Sequence, residues 1–181
     1  MTAWSRIARR IRVPLGFVFA ALYLWLAQPT WLSLLIGGII AFAGVAIRAV
    51  ASGHISKNSE LTMSGPYAYT RNPLYLGSIV IATGFAVAAR SGWIVLALVV
   101  LFAAIYIPVI RSEEAFLRSR FPEFEAYFRD VPRLLPRFRS LAAPEGSFSR
   151  ELYLKHREYN ALFGTAVMLA ALAAKLLWAA R

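Results

Sequence analysis

Apolar residues along the chain fall into long unbroken runs, separated by short or basic interruptions. Runs of that length predict helices that cross a bilayer, because a spanning helix needs about 20 residues. The first run covers 13–27. Extended back to 7–27, with Arg9, Arg10 and Arg12 snorkelling, it gives about 31 Å of helix. Gln28-Pro29-Thr30 then breaks the chain, since proline cannot continue a helix. The second span is 31–52, with Trp31 as an interfacial anchor. The third is 74–89, closed by Arg90-Ser91-Gly92, and the fourth is 93–110, with a bend expected at Pro108. A long polar stretch follows, and 161–180 forms a fifth span with Lys175 near its far end. The expected architecture is therefore all-α: a polytopic membrane protein of about five transmembrane helices in a single domain, 1–181. Segments 53–73 and 111–160 lie between the spans, and an amphipathic helix is expected around Phe121, Phe124, Tyr127 and Phe128.

Composition agrees and adds a direction. The chain has 181 residues, 59% of them hydrophobic, yet its formal charge is +11. That apolar content excludes a disordered basic tail. Seventeen of the twenty Lys and Arg residues lie in the N-terminus, at Arg48, or in 53–73 and 111–160; only Arg90, Lys175 and Arg181 lie on the other side. The positive-inside rule then puts the N-terminus and both long segments in the cytoplasm and the C-terminus opposite, as for a bacterial inner-membrane protein. The first run lacks a small-x-small cleavage site and leads directly into a second span, so it reads as an uncleaved span rather than a signal peptide. There is no cysteine, which excludes disulfides, thiolate metal sites and a thiol nucleophile. No metal site is expected. The basic run Arg133, Arg137, Arg139 suits anionic lipid better than nucleic acid beside so many spans.

The unusual chemistry collects in two places. In the first, Ser64-Gly65-Pro66-Tyr67 reads as a turn, and Asn72-Pro73 as a helix start with Asn at the N-cap and Pro at N1. Arg71 beside free helix N–H groups makes an anion site. Gly77 and Gly84 share a face, where a neighbouring helix or a ligand can come close. In the second, Arg111-Ser112-Glu113-Glu114 follows the fourth span. The plainest reading of Glu114 is an i,i+4 pair with Arg118, worth little at a surface; Arg111 and Glu113 have no such reading.

Gly65-Pro66-Tyr67, Arg71-Asn72-Pro73-Leu74-Tyr75-Leu76-Gly77, Arg111 with Glu113-Glu114, and Phe121…Tyr127…Val131-Pro132 together resemble the isoprenylcysteine carboxyl methyltransferase family and the related phospholipid N-methyltransferases. The resemblance covers about 53–136. It implies an integral-membrane methyltransferase that uses S-adenosylmethionine without a Rossmann fold. On this reading Arg71, Asn72, Pro73, Tyr75 and Gly77 match the family's Arg-His-Pro-x-Tyr-x-Gly block, with Asn72 in place of its histidine. Gly65, Pro66 and Tyr67 join them as cofactor-binding residues, and His54 and Lys57 match a looser upstream block. Glu113 and Glu114 match the acidic pair, and Phe124 stands where tyrosine is common.

The residue types agree with that cofactor: arginine for a carboxylate, glutamate for an ammonium, aromatic faces for a sulfonium. A carboxylate acceptor is already ionised at pH 7 and would need only orientation, by Arg111. An amine acceptor must lose a proton, for which Glu113 or Glu114 is the candidate base. Tyr153, His156, Arg157 and Glu158 precede the fifth span; they read as an aromatic-and-basic interfacial belt, or alternatively as a cap on the acceptor headgroup. The acceptor is expected to be a lipophilic molecule that enters laterally from the bilayer. Other classes left open are an NADPH-dependent membrane reductase related to the sterol reductases, and a non-enzymatic membrane protein on the same scaffold. Oligomeric state is left open.

Overall fold

The computed structural model describes residues 18–55, 61–137 and 146–179. All regular structure among them is helical. Residues 18–26 form α1. Next come α2 (Trp31–Ser52), a short 3-10 turn (Gly65–Ala68), α3 (Pro73–Ala89), α4 (Gly92–Leu101), a π-helical stretch (Phe102–Tyr106) and α5 (Ile107–Arg120). The series ends with α6 (Phe124–Asp130), α7 (Arg150–Lys155) and α8 (Tyr159–Ala179). Trp31–Ser52, Gly92–Arg120 and Tyr159–Ala179 are long and apolar enough to cross a membrane; Pro73–Ala89 is a shorter apolar helix. Most of the expected first span lies outside the described residues.

Sequence signals account for the helix ends. Thr30 accepts from Ser33 N–H, and the Ser33 hydroxyl accepts from Thr30 N–H, closing a capping box at the start of α2. Arg90 ends α3 in the left-handed conformation, φ 50°. The fourth span does not stop at Ile110. It continues as one rod to Arg120, so Arg111–Arg120 is helix rather than loop. The expected irregularity falls at 102–106, just before Pro108. Proline offers no N–H and its ring crowds the carbonyl four residues back, and a π-helical turn relieves both.

The tightest packing joins α2 to α3. A Cβ on Gly44 would lie 2.7 Å from the Gly77 carbonyl oxygen, and one on Gly84 would lie 2.5 Å from the Ala41 backbone nitrogen. The small residues therefore bring two backbones into contact, which answers the question raised by Gly77 and Gly84: their neighbour is a helix. On the opposite end of the bundle, Lys175 of α8 donates to the carbonyls of Leu24 and Ala27, each at 2.6 Å. That ammonium caps the C-terminus of α1, where helix carbonyls lack partners. Tyr23, Ala88, Ile94 and Leu172 form the core beneath it.

Candidate active site

Two constellations sit at the Arg48 end of α2, and they divide the acidic pair between them. Glu114 is buried. Its carboxylate takes Arg133 in a forked contact, with Nη2 at 2.7 Å and Nε at 3.1 Å, and Arg71 Nη2 at 3.4 Å. Asn72 Nδ2 adds a long hydrogen bond of 3.4 Å and also donates to the Arg133 carbonyl at 3.1 Å. Residues 131–137 run beside 69–72 with bends at 131 and 133–135, held by Arg71 N–H to the Pro132 carbonyl (2.9 Å) and Arg137 N–H to the Tyr69 carbonyl (3.1 Å). The Arg71 guanidinium lies 3.9 Å from the Phe128 ring centroid. Burial lowers the pKa of Arg71 against the opposing pull of Glu114, whereas hydrogen bonding to Glu114 raises that of Arg133.

Several expectations are corrected here. Asn72 is the N-cap residue of α3 and Pro73 its N1, but the Asn72 side chain makes no cap bond; it is spent on Glu114 and Arg133. Arg71 is not an open anion receptor, because Glu114 and Phe128 hold it, although its Nε is buried without a partner among the described residues. Arg133 serves Glu114 rather than lipid alone. Arg118 pairs with Glu125 (2.6 Å), not with Glu114.

The second constellation surrounds Glu113. One residue along α5, this carboxylate is exposed and lies beside the Tyr75 phenol on the first turn of α3. Tyr75 meets Tyr106 edge-on, with ring centroids 5.6 Å apart. Tyr67, presented by the 3-10 turn, is buried, and its hydroxyl has no partner among the described residues. Its pKa is raised by burial first, and then by Tyr127, Glu113 and Glu158. Tyr127 fixes the turn by donating to the Tyr67 carbonyl at 2.7 Å.

Glu158 belongs to this ring. Arg48 Nε and Nη2 grip its two carboxylate oxygens at 2.9 and 2.8 Å, and Arg48 Nη1 reaches the Leu74 carbonyl and the Ser78 hydroxyl. The segment before α8 is pinned on the same end of α2. Ser149 N–H donates to the Gly53 carbonyl (2.8 Å), and His156 Nδ1 lies 3.2 Å from the Ser52 carbonyl. Arg157 turns the chain with φ 54°. Tyr153 is half-buried against Phe148, and Phe148 in turn meets His54 edge-on at 6.2 Å.

His54 packs on the turn. Gly65 has φ +56°, and a Cβ there would meet His54 Cδ2 at 2.5 Å. His54, Gly65 and Pro66 thus shape the Tyr67 turn, while Gly77 belongs to the α2–α3 seam. Arg111 is exposed and belongs to none of the ion pairs among the described residues. Lys57 lies outside the described residues. Sequence reasoning counted Arg48 only toward topology. The available signal was an arginine one turn before the end of an otherwise uncharged span.

Behind this ring lies a cavity of about 420 Å³ between α1, α2, α3 and α8, lined at one end by Arg48, Ser78 and Tyr106 and deeper by Tyr23, Phe85 and Met168. Among the described residues no three His, Asp or Glu side chains come together as a metal site would require.

The site thus joins an acidic, aromatic ring to a cleft lined mainly by apolar side chains in a helical membrane protein. The phospholipid methyltransferase family model matches residues 34–123, which include Arg48, Tyr67, Arg71, Asn72, Tyr75, Tyr106, Glu113 and Glu114, whereas Tyr127, Phe128, Arg133 and Glu158 lie beyond the match. The chain belongs to that family, within the isoprenylcysteine carboxyl methyltransferase-like group. It is 36% identical over 134 residues to the cobalt-zinc-cadmium resistance protein CzcN of Cupriavidus metallidurans, covering 70% of this chain and 62% of that protein. It is also 36% identical over 154 residues to the nickel-cobalt-cadmium resistance protein NccN of Alcaligenes xylosoxydans xylosoxydans, covering 78% and 72%. The match thus spans under two thirds of the CzcN length. No solved structure matches the chain.

Proposed function

We propose that the protein is an S-adenosylmethionine-dependent methyltransferase acting on a lipophilic acceptor drawn from the bilayer. The observation that carries this reading is the buried Tyr67 hydroxyl, without a hydrogen-bond partner among the described residues and in the field of Glu113 and Glu158; Arg48, which grips Glu158, also lines an apolar cleft. A buried hydroxyl left unpaired costs about 1–3 kcal/mol, so its retention suits a ligand group that completes it.

The residues present fit the cofactor. Glu113 suits an ammonium, the Tyr67 hydroxyl and the buried Arg71 Nε–H are donors for carboxylate or ribose oxygens, and Tyr75 and Tyr106 offer aromatic faces to a sulfonium. When bound, S-adenosylmethionine supplies an electrophilic methyl group. The chain's own task is then alignment in a dry site, because an in-line displacement needs little else. Glu113 is placed to accept a proton if the acceptor is an amine. A carboxylate acceptor needs no base, and both acceptors stay within this reading.

The arrangement we propose has five spans, with the N-terminus and the site ring in the cytoplasm, the C-terminus opposite, and the basic segments held against anionic lipid of a bacterial inner membrane. The relatives are named for cobalt, zinc, nickel and cadmium resistance, and we propose that this chain contributes to metal resistance through methylation of a membrane component.

Titration of the detergent-solubilised protein with S-adenosylmethionine and with NADPH tests the cofactor. Heat or a thermal shift with the former alone is the expected result, and NADPH binding alone would overturn the reading in favour of a reductase. Transfer of radiolabelled methyl groups to extracted lipids and to a prenylcysteine analogue then identifies the acceptor.

A further inference from the structure

Two apolar clefts flank the contact between α3 and α4, and Ala82 and Leu98 line both. The larger, about 540 Å³, lies between α3 and α4 and is walled by side chains such as Val87, Val95 and Val99. Its one hydroxyl, on Thr83, is already bonded to the Ile79 carbonyl at 2.9 Å. Nothing there meets a headgroup, so it is an ordinary lipid-facing groove. The smaller cleft differs at one end, where Arg48, Ser78 and Tyr106 form a polar rim. Arg48 leads from that rim to Glu158, and Tyr106 leads to Tyr75, beside Glu113.

We propose that this second cleft is a binding site for a single hydrocarbon chain, headgroup at the Arg48–Ser78–Tyr106 rim and tail among Tyr23, Phe85 and Met168. Its size sets the limit. At about 30 Å³ per water-sized group, 420 Å³ holds on the order of a dozen methylene units. One chain of that order fills it, and the two tails of a diacyl phospholipid exceed it. The wall contributed by α8 determines the capacity at Gly164, which lines the cleft and has nothing within 4 Å of where a Cβ would stand. A Cβ there is unobstructed, on the α8 wall of the cleft.

The inference deepens the methyltransferase reading, since the chain would belong to the acceptor, but it is tested without turnover. The protein in nanodiscs is labelled with single-chain amphiphiles carrying a terminal photoreactive diazirine, with no S-adenosylmethionine present, and the adducts are mapped by mass spectrometry. Saturable labelling of α1, α3 and α8 peptides around Tyr23, Phe85 and Met168 is expected, competed by unlabelled single-chain amphiphile and not by diacyl lipid. Gly164→Phe should abolish it, as should Ala20→Phe from the α1 wall, whereas Val95→Phe in the other groove should leave it intact. Even labelling of both clefts, equal competition by diacyl lipid, or wild-type labelling in whichever of the two filling variants folds would overturn the proposal. Absence of S-adenosylmethionine binding would instead sink the methyltransferase reading and leave the labelling result standing.

Discussion

Glu113 and Glu114 are neighbours on one helix and live in opposite worlds. Glu114 points inward to Arg71, Arg133 and Asn72, with its side chain only 8% exposed. Glu113 is exposed on the face beside Tyr75 and contributes to the field at Tyr67. Successive helix residues are turned about 100° apart, so a paired-acid motif serves two surfaces at once. The inward acid ties three elements together: the start of α3, α5 and residues 131–137. The outward acid is left with capacity for a ligand. The comparison teaches that a motif of adjacent charges need not be one functional unit.

Charge removal on the inward side should have the largest effect. Glu114→Gln leaves the buried Arg71 guanidinium without its counter-charge, and breaking a buried pair from one side costs about 3–5 kcal/mol. Thermal melting in detergent should fall by a margin that removes most folded protein at growth temperature. Glu113→Gln should change stability by no more than about 0.5 kcal/mol, as for an ordinary surface site, while methyl transfer and S-adenosylmethionine affinity drop. Equal destabilisation by the two substitutions would erase the division.

The Arg48–Glu158 pair ranks next. Arg48→Met keeps the packing of the aliphatic stem against Gly77 but removes the fork to Glu158 and the bonds to Ser78 and Leu74. A lost charge-assisted bond of this kind costs about 1.5–3 kcal/mol, less here because the Arg48 side chain keeps 24% exposure. Protease cleavage in the segment before α8 should accelerate, because Glu158 no longer anchors it. An unchanged cleavage rate would show that Ser149 and His156 hold the segment unaided.

How much of this was legible in the chain follows from separation along it. Apolar helices were legible where they are written in contiguous residues: Trp31–Ser52 has the bounds the apolar run predicted, and Tyr159–Ala179 is shifted by one or two residues. The cap at Asn72-Pro73 was half legible. Local rules place the helix start, but the partner that claims the Asn72 side chain lies 42 residues away. Arg48 and Glu158 are 110 residues apart, and one sequence gives no means of relating them. Arg133 sat in a basic run whose lipid reading was reasonable, and only the return of 131–137 along 69–72 turns it to Glu114. The apolar run ends at Ile110, whereas the helix that carries it runs on to Arg120, a continuation that the mostly polar residues 111–120 do not announce.

Tyr67→Phe sharpens the outward side more gently. It removes a hydroxyl that has no partner among the described residues, so stability should hold or rise slightly, while S-adenosylmethionine binds more weakly. A clear loss of stability would mean that the hydroxyl serves the fold rather than a ligand.

The smallest effect is one of pH, and it reads both sides together. Burial raises the phenol pKa of Tyr67 and of Tyr127 above the ordinary 10.0. The folded state therefore holds these protons where the unfolded chain has released them. Stability contributed in this way is fully present below about pH 10 and declines as pH rises above it. Melting temperature should be flat toward pH 10 as far as these two groups are concerned, then fall, with their phenolate absorbance appearing only as the protein unfolds. In Tyr67→Phe the alkaline decline should become shallower, since one of the two held protons is gone. Tyr127→Phe should instead lower stability at every pH, because it also removes the bond to the Tyr67 carbonyl that steadies the turn. If both variants shift the curve alike, the Tyr127 hydroxyl does no more for the fold than the Tyr67 hydroxyl does.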